Sequence, residues 1–228
     1  MSAALLAAAA EPALQLTVDG GGSTAVKLFL LLTLLSFAAA ILVSLTSFTR
    51  IVIVLSFLRQ ALGTPQLPPN QVLIGLALAL SAFVMAPTAT RVYEAGLGPY
   101  LADAMDAGTA FERASVPLRE FLLRHTREND LRLFYEIAGA ERPARGEEIP
   151  LTVAVPAFMV SELTTAFRMG LLVYVPLLLV DLIVAAILMS LGMMMVPPNL
   201  ISLPVKLGIF LLADGWHLVV SSLVRSFT

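Results

Sequence analysis

Residues 28–45 run for eighteen positions without a charge, a proline or a glycine. A helix needs about 20 mostly apolar residues to cross the hydrocarbon core of a bilayer, and nothing in this run supplies a polar face for water. Further apolar runs follow at 71–86, 169–191 and 203–224. The whole chain is 58% apolar and 13% charged, against about 45–50% and about 25% in ordinary soluble domains. Lipid offers the backbone no hydrogen-bond partners, so such runs must be helical. The expected fold is an all-α, polytopic membrane protein with about four long hydrophobic helices. One helical extracytoplasmic domain stands between the second and third.

Four segments are expected. Residues 1–24 form a leader and linker. The alanine-rich start before Glu11-Pro12 reads either as the tail of a signal peptide or as a disordered leader, because no Lys or Arg precedes it. Residues 25–87 form a first hairpin. Its first helix continues through Arg50 to Leu58, longer than the membrane is thick, and is broken by Gly63-Thr64-Pro65 and Pro68-Pro69. Asn70 is the expected N-cap of the second span, which stops at Pro87.

Residues 88–150 hold 19 of the chain's 30 charged residues, with a net charge of −3. They read as two or three amphipathic helices, one starting at Ser115 with Pro117 just inside, then a loop over 142–148. Residues 151–228 form a second hairpin, with spans at 169–191 and 203–224 and a turn at 192–199. Residues 151–161 are either an amphipathic approach or an extension of the third span. The connection over 50–70 carries Arg50 and Arg59 and no acid, which assigns it to the cytoplasm and both chain ends to the outer side.

Several functions are excluded. A net charge of −2 without a basic stripe argues against nucleic acid. With no cysteine there is neither a disulfide framework nor a thiolate site. His125 and His217 lack metal-ligand spacing to any other ligand, and Gly20-Gly21-Gly22 lacks the lysine of a phosphate loop. No catalytic constellation, cofactor or metal is expected.

Charges inside spans cost about 2.5–3.5 kcal/mol each on insertion scales. Glu162, Arg168, Asp181, Lys206 and Asp214 therefore need a reason. Glu162 and Lys206 either pair across helices or subunits, or snorkel from span ends. Asp181 and Asp214 lie too deep for that, and a structural pair or a hydrogen bond suits them better than a proton relay. Met193-Met194-Met195 occupies a turn. Thioether side chains fill irregular gaps, so a ring of them from several copies could close a pore and yield around a moving chain. Three residues alone are also compatible with chance methionines in a hairpin. Copper binding lacks a nearby His or Cys.

The wording of the sequence carries a resemblance. Thr46-Ser47-Phe48-Thr49-Arg50-Ile51, Pro68-Pro69-Asn70-Gln71, Thr126-Arg127-Glu128, Ser161-Glu162-Leu163-Thr164-Thr165, Gly192-Met193-Met194-Met195-Val196-Pro197-Pro198 and Asp214-Gly215-Trp216 occur in order. Over residues 25–227 the chain resembles the FliP/SctR family of type III export-gate subunits, with wording closer to its flagellar branch. The resemblance implies a non-enzymatic subunit of the bacterial inner membrane and flagellar basal body. Five copies would assemble with FliQ, FliR and other export-gate components into a channel for unfolded flagellar proteins. It also implies a pore gasket at Met193, Met194 and Met195, and an inter-subunit charge pair between Glu162 and Lys206. The alternatives are an R-type subunit of a virulence injectisome, a proton-coupled small-solute transporter relaying through Asp181 and Asp214, and a purely structural scaffold.

Overall fold

The computed structural model describes residues 23–140, 143, 149–193 and 195–227. Helices account for the regular structure, and no strand occurs among the described residues. They are α1 (Ser23–Leu45), α2 (Phe48–Ala61), α3 (Asn70–Val92), a π-helical turn (Tyr93–Leu97), α4 (Gly98–Leu101), α5 (Ala107–His125), α6 (Glu128–Ala138), α7 (Leu151–Ser190), α8 (Asn199–Leu212) and α9 (Gly215–Arg225). The chain divides into two compact units at Ile41/Leu42, a boundary inside α1. In the first unit the Thr33 and Ser36 hydroxyls donate to the Phe29 and Leu32 carbonyls, each at 2.8 Å. Hydroxyls bonded within their own helix do not spoil an apolar run.

The second unit is built around α2. Ile51, Val54, Leu55, Leu58 and Ala61 are buried in one cluster with Leu122, Phe158, Ala166 and Leu223. This differs from the expected single helix through residue 58. The chain breaks at Thr46-Ser47, where hydroxyls bind groups other than the helical ladder. Ser47 Oγ donates to Ser81 Oγ at 3.1 Å, and Thr49 Oγ1 donates to the Val43 carbonyl at 2.8 Å.

The second span also differs from expectation. Pro87 does not end it, and the helical run Asn70–Leu101 covers 32 residues. Proline removes one backbone donor, a loss that membrane helices tolerate. Packing carries the helix onward: a Cβ on Gly96 would lie 2.3 Å from the Ala110 carbonyl oxygen, so the π-helical turn and α5 touch backbone to backbone. Asn70 is the first residue of α3 rather than its cap, and its Oδ1 accepts from Arg59 Nη1 at 2.6 Å.

In the polar segment, α5 starts at Asp106 and not at Ser115. Asp106 Oδ2 accepts the Thr109 backbone N–H at 3.0 Å, the bond that defines an N-cap. The Thr109 hydroxyl, which donates to Asp106 Oδ1 at 2.6 Å, and then this backbone bond hold the Asp106 carboxyl below its usual range. Pro117 sits inside the helix, and α6 follows as a second amphipathic helix. The expected loop over 142–148 falls largely outside the described residues.

Residues 151–161 extend the third span, making α7 a single 40-residue helix. At 1.5 Å per residue it is about 60 Å long, roughly twice the bilayer core. The expected fourth span is broken: α8 and α9 are bent by 63° at Asp214, which has φ 49° and ψ 50°. Gly215 allows the bend, because a Cβ there would lie 2.2 Å from the Phe210 ring. Among the described residues, two helical runs, Asn70–Leu101 and Leu151–Ser190, are long and apolar enough to cross a membrane, or three if the bent pair is one span.

Candidate functional site: two buried charge clusters and a methionine turn

The first cluster gathers around Arg50 on α2, a residue whose role the sequence reading missed. Arg50 is 3% exposed and Glu162 fully buried. Arg50 Nε donates to Glu162 Oε2 at 2.9 Å, and Nη2 donates to Oε1. Nη1 donates to the Ser226 carbonyl at 3.0 Å and to Ser226 Oγ at 2.9 Å. The guanidinium also lies 3.8 Å from the centroid of the Phe227 ring, a favourable cation–π position. One arginine thus joins α2, α7 and the segment after α9. Its signal in the sequence was a lone cation inside an otherwise apolar stretch.

The polar segment closes over this cluster. Phe227 packs against His125 (ring centroids 5.2 Å apart) and Phe121 (6.4 Å). Burial, then the neighbouring cations Arg50 and Arg124, lower the His125 pKa to about 4. Beside Glu162, Ser161 Oγ accepts the Arg127 backbone N–H at 2.9 Å and donates to Asp130 Oδ2 at 2.5 Å. The N-terminus of α6 is therefore bolted to α7 within one residue of the buried carboxylate.

The second cluster lies at the other end of α2. Lys206 on α8, 4% exposed, donates from Nζ to Asp181 Oδ2 at 2.5 Å and to the Ala61 carbonyl at 2.9 Å. Ala61 is the last residue of α2. A cation there meets both an unsatisfied terminal carbonyl and the negative end of the helix dipole. A pocket of about 180 Å³ adjoins the pair, lined in part by Gln60, Asn199 and Ser202. Between the clusters α2 and α7 run parallel in close contact: a Cβ on Gly170 would lie 2.6 Å from the Phe57 ring, and Phe57 meets Phe167 edge to face at 5.3 Å.

Glu162 and Lys206 thus each have a partner within the chain, and the two belong to different clusters. Asp181 stands nineteen positions after Glu162 on α7, about 28 Å along the helix axis. Asp181 shares its cluster with Lys206. Arg168 is exposed on α7, and Asp214 is exposed at the α8–α9 bend. Among the described residues no group of three His, Cys, Asp or Glu could hold a metal ion.

The methionine turn stands at the tip of the α7–α8 hairpin. Gly192, with φ 76°, ends α7. Its N–H bonds to the Met189 carbonyl and the Met193 N–H to the Leu188 carbonyl, both at 3.0 Å, a paired Schellman cap. Met193 is 42% and Met195 95% exposed. Met194 lies outside the described residues.

A sequence profile of the FliP family matches residues 31–223. The chain is 51% identical over 205 residues to the flagellar biosynthetic protein FliP of Bacillus subtilis (strain 168), covering 90% of this chain and 93% of that protein. It is 52% identical over 211 residues to the protein of the same name from Pectobacterium carotovorum subsp. carotovorum, covering 92% and 82%. A third, from Aquifex aeolicus (strain VF5), is 49% identical over 219 residues, covering 95% and 92%. With the profile and these relatives spanning nearly its whole length, the chain belongs to the FliP family.

Proposed function

We propose that the chain is a subunit of the flagellar type III protein export gate, and that copies of it assemble with FliQ, FliR and other export components into a channel for unfolded flagellar proteins. Its role is structural rather than enzymatic. The observation that carries the reading is the hairpin tip. Met195 stands almost fully exposed at the end of a 40-residue helix. A flexible thioether there is available to meet its counterparts from other copies and to deform around a passing chain. Identity near 50% to proteins named for flagellar biosynthesis favours the flagellar system over an injectisome.

In this reading α1, the part of the Asn70–Leu101 run before residue 88, α7 and the bent α8–α9 pair supply the four spans of an inner-membrane protein in the basal body. The segment 88–150 is extracytoplasmic, and the residues before and after it form hairpins over 25–87 and 151–228. Met193, Met194 and Met195 form the gasket. The inter-subunit pairing of Glu162 with Lys206 belongs to the same proposal. An ammonium has three donors and a carboxylate about four acceptor positions. Contacts between copies can therefore add to the intrachain bonds, provided assembly uncovers both groups while those bonds persist.

The test is replacement of Met193, Met194 and Met195 by alanine in the assembled gate. Membranes should leak ions while the oligomer persists. Normal conductance together with normal export would remove the gasket. For the pair, Glu162→Ala and Lys206→Met should each weaken the oligomer, and the double variant should weaken it little further. Native mass spectrometry reads both.

A further inference from the structure

We propose that Lys206 is the positioning residue of the methionine turn: its ammonium ties α8 to Asp181 of α7 and to the C-terminal carbonyl of α2, and so sets where the hairpin tip stands. The inference rests on the reading of that turn as the seal. The tip itself has little to hold it. Met189 is 60%, Leu191 68% and Leu200 71% exposed, and the nearest well-buried side chains on the two flanks, Leu188 and Ser202, stand behind the turn. The tie formed by Lys206 lies a short way behind it. Asp181 precedes the last residue of α7 by nine positions, and Lys206 follows the first residue of α8 by seven. These are levers of roughly 14 and 11 Å.

The far side of the tie is rigid. The Ala61 carbonyl accepts from Lys206, and α2 is itself clamped by the Arg50–Glu162 pair and by the close approach of Phe57 to Gly170. The tip is therefore referred to the core of the second unit and not merely to its partner helix. The tie can also be released. The Asp181 side chain keeps 29% of its surface exposed, and the adjoining pocket of about 180 Å³ is rich in amide and hydroxyl groups. A space of that size holds several waters of about 30 Å³ each, which can solvate the carboxylate when the ammonium withdraws. Held, the bridge keeps the tip in place. Released, it lets the α7–α8 hairpin swing aside without stranding a dry carboxylate.

The chain has no cysteine, so two introduced cysteines carry the only spin labels. Labels at Gln66→Cys and Met195→Cys, on labelled copies diluted among unlabelled ones in the reconstituted gate, measure the tip against the connection between α2 and α3. A second pair, Gln66→Cys with Leu171→Cys, monitors that connection against α7. The tip distance should be narrow in the parent. It should broaden at least twofold in Lys206→Met and in Asp181→Asn, and narrow again in Lys206→Arg, while the second pair stays unchanged. An unaltered tip distribution in both Lys206→Met and Asp181→Asn overturns the proposal, as does broadening of both label pairs together. Ion leakage of the same substitutions without labels separates the two readings. A displaced tip in a membrane that stays tight upholds the positioning role and overturns the seal, whereas an unmoved tip removes the positioning role whatever the leak.

Discussion

Arg50 on α2 grips both carboxylate oxygens of Glu162 on α7 where neither side chain keeps more than 4% of its surface. Removing one member of such a pair strands the other charge in a dry site, which typically costs 3–5 kcal/mol, whereas replacing both by apolar groups of similar volume is often neutral or stabilising. Glu162→Ala should therefore lower stability by about that amount. Arg50→Met combined with Glu162→Leu should recover most of the loss. Chemical unfolding of the purified chain measures both. A double variant no more stable than the single one would show that hydrogen bonds to Ser226, and not the ion pair, dominate the site.

His125 makes the polar segment acid-sensitive. Its folded pKa is about 4, below the ordinary 6.5, because burial and the nearby Arg50 and Arg124 disfavour the imidazolium. Between those values the unfolded chain binds more protons than the folded one, so stability rises with pH. The contribution is complete above about pH 6.5 and is lost as the pH falls through about 4. Unfolding followed from pH 7 to pH 4 should show this loss, and His125→Phe should flatten it. An identical pH profile in that variant would assign the acid response to the carboxylates.

At Gly170 α7 lies against Phe57 of α2, and the glycine has no room for a side chain. Its missing Cβ would lie 2.6 Å from the Phe57 ring, whereas a Cβ on Gly208 would meet nothing within 4 Å. Overfilling a packed site costs typically about 1–3 kcal/mol. Gly170→Ala should lower the melting temperature, and Gly208→Ala should raise it slightly, since alanine is the better helix former. Equal responses from the two variants would contradict the tight packing.

Asp214 occupies left-handed backbone space at the α8–α9 bend, a conformation that glycine adopts without strain and β-branched residues resist. Asp214→Gly should be tolerated, while Asp214→Val should be destabilised by about 1–3 kcal/mol. Thermal unfolding of the two variants compares them directly. Comparable stability would mean that the bend relaxes into a straight helix once Asp214 is replaced.

The elements that were misread share a cause. The helix through residue 58, the stop at Pro87, the start at Ser115 and the straight fourth span were all judged from local signals. Two were overruled by contacts from farther along the chain, Ser47 with Ser81 and Gly96 with Ala110. The other two were overruled locally, by the close approach of Gly215 to Phe210 and by the Asp106 cap, whose bond to Thr109 spans three residues. The charged residues divide likewise. That Glu162, Asp181 and Lys206 need polar partners followed from the cost of burying charge. That the partners are Arg50 for the first, and each other with Ala61 for the other two, did not.

The amino-acid sequence alone determined the helical class, the membrane character, the polar segment and the family, because apolar runs and motif wording are properties of consecutive residues. Only the tertiary structure decided that α2 is a core helix and not the end of a span. It also decided that Glu162 and Lys206 stand at opposite ends of α2, and that Arg50 ties three parts of the chain together. The physical reason is that a buried ion pair is chosen by distance and direction in space. Arg50 and Glu162 lie 112 positions apart in the chain, and only packing brings them within a hydrogen bond.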